Sequence, residues 1–92
     1  MEDKIKTSKI KKYYDLTSRA LKIAKKSITK SKEIEAHEII LMVESYLSDS
    51  KYFEKKGDFV NSFACLNYAH GWLDCGARLK IFNVTDNKLF TV

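Results

Sequence analysis

His70, Asp74 and Arg78 are the residues of this chain whose types and spacing come closest to a chemistry. On a helix His70 and Asp74 stand one turn apart, as do Asp74 and Arg78, so a carboxylate lies between an imidazole and a guanidinium. Asn67 shares that stripe, beside Gly71. A histidine oriented by a carboxylate, with an amide and a guanidinium nearby, can hold an anion or act as an acid–base pair. The same four residues, Asn67, His70, Asp74 and Arg78, can instead form a buried polar network that satisfies itself and fixes helix register. The structural reading is favoured, because the other histidine, His37, stands alone in a different segment. No catalytic residue is assigned, and the sequence leans against an enzyme. An enzyme would need an accessible pocket reaching His70 and Asp74.

Metal and cofactor chemistry find no support. Neither the two cysteines nor the two histidines have ligand spacing such as CxxC or HExxH, and His37-Glu38 lacks a histidine four residues later. No glycine-rich phosphate loop occurs; Gly71 and Gly76 fall inside a helical pattern, where they permit close packing. Cys65 and Cys75, on one helix, would lie ~15 Å apart along its axis, too far for a disulfide. Both read as small core hydrophobes. Two free thiols, the absence of an apolar signal segment in MEDKIKTSKIKK, and no run of ~20 apolar residues together suggest a cytoplasmic protein with no membrane span.

The elements that must position these groups are helical. The chain has 92 residues, no proline and three glycines, which favours one domain with few turns and long helices. In the first pattern Ile10, Tyr13, Tyr14, Thr17, Ala20, Leu21, Ala24 and Ile28 recur at spacings of three and four. The segment SITKSKE breaks that pattern, and Ser31 is a candidate N-cap. The second pattern uses Ala36, Ile39, Ile40, Val43, Tyr46, Leu47, Ser50 and Phe53, with acids in its first turns and Lys55 and Lys56 in its last, matching the helix dipole. Gly57 suits the position after a helix and Asp58 the cap of the next, so two helices meet in a tight antiparallel hairpin.

The third helix has no obviously wet side. Phe59, Phe63, Leu66, His70, Leu73 and Ala77 share one arc; Cys65, Ala69, Trp72 and Leu79 share another. Val60, Ala64, Gly71 and Cys75 form an arc of small residues where another helix can approach. Such a helix is expected at the centre of the fold, or partly covered by a second subunit. The tail NVTDNKLFTV has a turn signal at Asp86-Asn87 and a β-prone end.

Charge is uneven. The net charge is +5, yet residues 1–32 hold eleven Lys or Arg against three acids, and residues 33–92 hold six against nine. Lys11, Lys12, Arg19, Lys22 and Lys26 lie opposite the apolar stripe of the first helix, forming a candidate basic face for nucleic acid or an anionic surface. Asp15 interrupts it and no aromatic interleaving is present, so a solvated lysine face is the default.

Two family resemblances arise at Gly57. The run KKGDFVNSFACLNYA resembles the turn and second helix of a tetratricopeptide unit, which works as a stacked array, whereas this chain supplies one unit. Over residues 5–92 the chain resembles a small archaeal family known as domain of unknown function number 357. Gly57-Asp58-Phe59, Phe63-Ala64-Cys65, Tyr68-Ala69, Gly71-Trp72-Leu73-Asp74, Gly76, Arg78 and Ile81-Phe82 follow that family's signature. Phe59, Ser62, His70, Cys75 and Lys80 depart from it, standing where the signature has Tyr, Ala, Tyr, Ala and Gly. A tyrosine in place of His70 argues against an obligatory catalytic histidine. The resemblance implies a three-helix bundle and no established activity, cofactor or site.

The expected architecture is an all-α, antiparallel three-helix bundle forming one domain over 1–92, with helices about 3–29, 32–56 and 59–82 and a short extended tail, 83–92. The leading functional expectation is a non-enzymatic interaction module that self-associates or binds a protein partner through Tyr68, Trp72, Leu79 and Phe90, because three helices cannot easily cover these groups together. The alternative is a nucleic-acid-associated protein using the lysine face of the first helix.

Overall fold

The computed structural model describes residues 5–90 and contains three helices, α1 (Thr7–Lys25), α2 (Glu33–Lys55) and α3 (Phe59–Arg78). The expected start of the first helix at residue 3 and the last two residues of the expected tail lie outside the described residues. All three helices are shorter than the periodicity suggests, and the two ends that differ most are decided by one non-local seam. At the end of α1 the Ser27 hydroxyl donates to the Ile23 carbonyl. Ile28, which the pattern places in the helix, instead pairs with Phe82 in an antiparallel bridge. Around that bridge the Thr29 amide donates to the Ile81 carbonyl (2.9 Å), the Asn83 amide to Ser27 (2.7 Å) and the Thr29 hydroxyl to Lys80 (2.6 Å). Hydrogen bonds that would have lengthened α1 and α3 by a turn are spent joining their ends.

The turn between α2 and α3 forms as the local sequence dictates. Gly57 adopts φ of 77°, its amide donates to Glu54 and the Asp58 amide donates to Phe53, which closes the end of α2 as a Schellman motif. Asp58 then caps α3, its carboxylate accepting from the Asn61 amide (3.1 Å) and the Asn61 side chain (2.7 Å). The start of α2 differs from expectation. Ser31 has φ of 76° and Lys32 occupies the cap position, without a side-chain cap bond. A serine in the left-handed region cannot swing its hydroxyl over the first turn, so Glu33 reaches back and accepts from the Ser31 amide at 3.2 Å. Its own backbone amide, and then that of Ser31, hold the Glu33 carboxyl below its ordinary pKa.

A second Schellman motif ends α3. Lys80 takes φ of 62°, its amide donates to Ala77, and the Ile81 amide donates to Gly76. The reversal drives Phe82, fully buried, onto Gly76, where an added Cβ would lie 2.5 Å from the Phe82 ring. Gly76 is therefore the glycine that close packing requires.

The packing is all helix on helix, with α3 in the middle. Thr17 meets His70, Tyr13 meets Phe63 and Ile28 meets Phe82, so α1 runs parallel to α3. Lys25 pairs with Glu44 and Lys51 covers Tyr14, so α1 runs antiparallel to α2. This up-down-up order is the expected three-helix fold, with the most extensive contact between α2 and α3. Near the hairpin turn Ser50 and Ser62, both buried, bond reciprocally: each hydroxyl donates to the other residue's carbonyl, at 2.9 and 2.8 Å. Two serines satisfied this way let α2 and α3 approach closely without stranding a polar atom.

The tail is a lid on the core. Val84, Leu89 and Phe90 are buried with the helix residues, and the Asp86 carboxylate accepts from the Lys88 and Leu89 amides to turn the chain inward. The Cα envelope is flat and long, 45 × 23 × 16 Å. A layer that thin leaves part of the central helix uncovered.

Candidate functional site

His70 projects from α3 toward α1 and the tail. Its Nε2 lies 2.7 Å from the Leu89 carbonyl oxygen and its Nδ1 lies 3.1 Å from the Thr17 hydroxyl. A carbonyl can only accept, so Nε2 carries a proton, and the Thr17 hydroxyl engages Nδ1. Both nitrogens are then committed, and no lone pair remains for proton abstraction. Asp74 is near, with Oδ1 3.9 Å from Nε2, beyond hydrogen-bond range. Asn67 and Arg78 are exposed and His70 and Asp74 half-buried, so the four do not form the enclosed network the spacing suggests. His70 works instead as a latch between α1 and the tail, through partners 53 and 19 residues away.

A cleft of about 190 Å³ reaches this latch, lined by Tyr13, Leu16, Thr17, Asn67, His70 and Lys88 among others. It is smaller than the ~300 Å³ that begins the usual range for small-molecule sites. Among the described residues no group of three or more His, Cys, Asp or Glu could hold a metal ion. No described helix is long and apolar enough to cross a membrane.

The basic face is exposed as a unit. Lys11, Lys12, Arg19 and Lys22 on α1, and Lys26 at its C-cap, all stand in solvent. Lys11 pairs with Asp15 at 3.2 Å, and the Lys12 ammonium sits 5.9 Å from the Tyr13 ring.

The outward face of α3 is the unusual surface. Val60, Asn61, Asn67, Tyr68, Gly71, Trp72, Cys75, Arg78 and Leu79 are exposed, with half-buried Ala64 among them. At ~100° per residue they fill one arc of ~140°. The helix therefore has a wet side, but one built from apolar and small residues, with Arg78 its single charge. The small-residue arc expected to pack within the fold lies here, and Gly71 has nothing within 4 Å of an added Cβ. Cys75, expected in the core, is exposed; Cys65 is buried, and burial, then the charges of Asp49 and Asp58, push its thiol pKa up. Tyr68 stacks on Tyr46 of α2 with ring centroids 5.5 Å apart, which braces it while leaving it exposed. Tyr68, Gly71, Trp72 and Cys75, with Asn67, line a shallow groove of about 330 Å³.

Of the residues expected on an interaction surface, the structure brings Tyr68, Trp72 and Leu79 together on this face. Phe90 is a correction. It is 3% exposed, because the Asp86 turn and the His70–Leu89 bond fold the tail over α1 and α3. Val60 and Gly71, whose spacing also suits a packing stripe, belong to the face; only the absence of a neighbour distinguishes the two roles. Ile34, Leu41 and Tyr52 are also exposed, on α2, but they are separated by ~10–16 Å of polar helix surface at ~1.5 Å per residue. Scattered exposed apolar residues of that kind are ordinary.

Comparison with known families gives a match over residues 12–82 to a family described as "Protein of unknown function (DUF357)". Neither the curated proteins nor the solved structures gave a significant match.

Proposed function

The chain belongs to the DUF357 family, whose description assigns no activity, and from its own surface we propose that it is a non-enzymatic helical interaction module that docks protein through the outward face of α3. One observation carries this reading. From Val60 to Cys75 none of the exposed side chains of the central helix is charged, half-buried Asp74 lying at the edge of the arc, and along it an added Cβ at Gly71 would meet nothing within 4 Å. Glycine in a helix interior costs about 1 kcal/mol relative to alanine, and no contact among the described residues requires it there. A face that gives up helix stability and solubility at the same place is suited to a close-fitting partner. Tyr68 and Trp72, flanking Gly71, are the residue types most often found as interface anchors.

A photoreactive amino acid placed at Val60 tests the reading in the native cell. It should form crosslinks to protein, and the same probe at Lys12 should not. Absence of protein crosslinks from Val60 would remove the proposal.

A second reading rests on the exposure of the basic face. Binding of nucleic acid there should weaken steeply with salt and be lost when Lys12, Arg19 and Lys22 are reversed in charge. Salt-independent binding, or none, would dismiss it.

A further inference from the structure

We infer that the partner seated on the outward face of α3 is a second copy of this chain, related by a two-fold axis that lies between Ala69 and His70 and sets the two α3 helices antiparallel. The inference rests on the proposed docking role of this face and specifies its occupant.

The order of side chains along the arc is self-complementary. With the axis at that point, Tyr68 of each copy falls opposite Gly71 of the other. The largest braced side chain of the face then meets the one position that has no side chain and no neighbour. Val60 falls opposite Leu79, so the two exposed aliphatic ends cover each other, and Ala64 falls opposite Cys75 about 8 Å from the axis, so the contact is thin on either side of the central Tyr68–Gly71 pairs. A self-complementary patch of this kind is what a two-fold interface demands, because one surface must serve as both partners. Gly71 receives Tyr68 at the crossing and small residues flank it, so the helices can pack within the usual ~8–10 Å range of interaxial distances.

Charge agrees with the same register. Arg78, the one charge on the face, falls opposite Asn61 of the other copy, within a turn of that copy's Asp58 at the N-terminal end of α3. An antiparallel pair also sets the positive end of one helix dipole beside the negative end of the other. A parallel pair would bring Arg78 against Arg78 and Tyr68 against Tyr68.

Area sets the strength. Taking roughly 150–250 Å² for a whole side chain of these sizes, the exposed fractions of Val60 (64%), Tyr68 (62%), Trp72 (38%) and Leu79 (61%), with the small residues between them, give on the order of 500 Å² per copy. The pair would bury about 1,000 Å², the lower boundary for a specific interface. The expected dimer is therefore a reversible one, dissociating in the micromolar range or weaker.

Sedimentation equilibrium of the full chain from micromolar to millimolar concentration tests the inference. Wild type should show a monomer–dimer equilibrium. Gly71→Leu should raise the dissociation constant tenfold or more while raising the melting temperature, since an added Cβ at Gly71 has nothing within 4 Å and leucine improves the helix. Mild oxidation reports the register. Two Cys75 residues in the antiparallel pair lie ~16 Å apart along the helices and cannot bridge, so wild type stays free of intermolecular disulfide. The new thiol of Ala64→Cys lies opposite the second copy's Cys75 and should give a covalent dimer. A wild-type chain monomeric at millimolar concentration, or a Gly71→Leu dimer of unchanged affinity, overturns the inference. A disulfide formed between two wild-type Cys75 residues overturns the antiparallel arrangement. Val60 crosslinks made only to a different protein would overturn self-association and leave the broader docking role intact.

Discussion

At the scale of single residues, burial divides chemically similar side chains into different roles. The Ser50–Ser62 pair shows what satisfaction is worth. Replacing either serine with alanine removes its own bond to the facing carbonyl and the 3.0 Å contact between the two hydroxyls, while the remaining hydroxyl keeps its carbonyl acceptor, so each single variant should lose about 1 kcal/mol of stability. The double variant should lose clearly less than the sum, as measured by urea denaturation in a double-mutant cycle. The cysteines divide in the same way. Burial raises the Cys65 thiol pKa, so at mildly alkaline pH a thiol reagent should modify exposed Cys75 in the folded chain and reach Cys65 only after unfolding. Equal rates at the two positions would contradict this burial. His70 belongs at this scale too. Its spacing to Asp74 was legible in the sequence, but its actual partners, Thr17 and the Leu89 carbonyl, come from elements whose approach no local pattern encodes.

At the scale of elements, helix ends built from local chemistry could be read directly, and those built from tertiary contact could not. Gly57 and Asp58 were legible because a positive φ and an N-cap are demands that particular residues meet alone. The end of α1 was not, because the apolar Ile28 fits a helix stripe as well as it fits the bridge to Phe82. Nor was the wet side of α3, since hydrophobic patterning marks an exposed face only when polar residues occupy it. The two Schellman motifs offer a paired test. Lys80 holds the left-handed conformation with a side chain that disfavours it, so Lys80→Gly should stabilise the chain by about 0.5–1 kcal/mol. Gly57→Ala, at the equivalent place after α2, should destabilise it by about 1 kcal/mol. Thermal melts of the two variants should shift in opposite directions; a shift in the same direction would contradict the shared geometry.

At the scale of the whole molecule, the tail completes a core that the three helices leave open on one side. Phe90 is the deepest residue of that lid, and Phe90→Ala should cost about 3 kcal/mol or more, seen as a lowered urea midpoint. His70→Ala should cost less, because it releases the latch without removing the apolar lid. A Phe90→Ala variant as stable as wild type would show that the tail does not contribute to the core. With one side of the layer closed by the tail, the opposite side of α3 is left as the open face, and the thinness of the molecule follows from having only two helices to flank the central one.

The seam between Ser27–Thr29 and Lys80–Asn83 has a consequence for the order in which the molecule assembles. The α2–α3 hairpin closes through neighbouring residues, whereas the seam joins groups such as Thr29 and Lys80 that are 51 residues apart in the chain. Closing so long a segment carries an entropic cost that only finished helices can offset. The hairpin should therefore be native-like in the rate-limiting transition state and the seam should form after it. A substitution such as Thr29→Ala should then act on the unfolding rate and leave the refolding rate nearly unchanged.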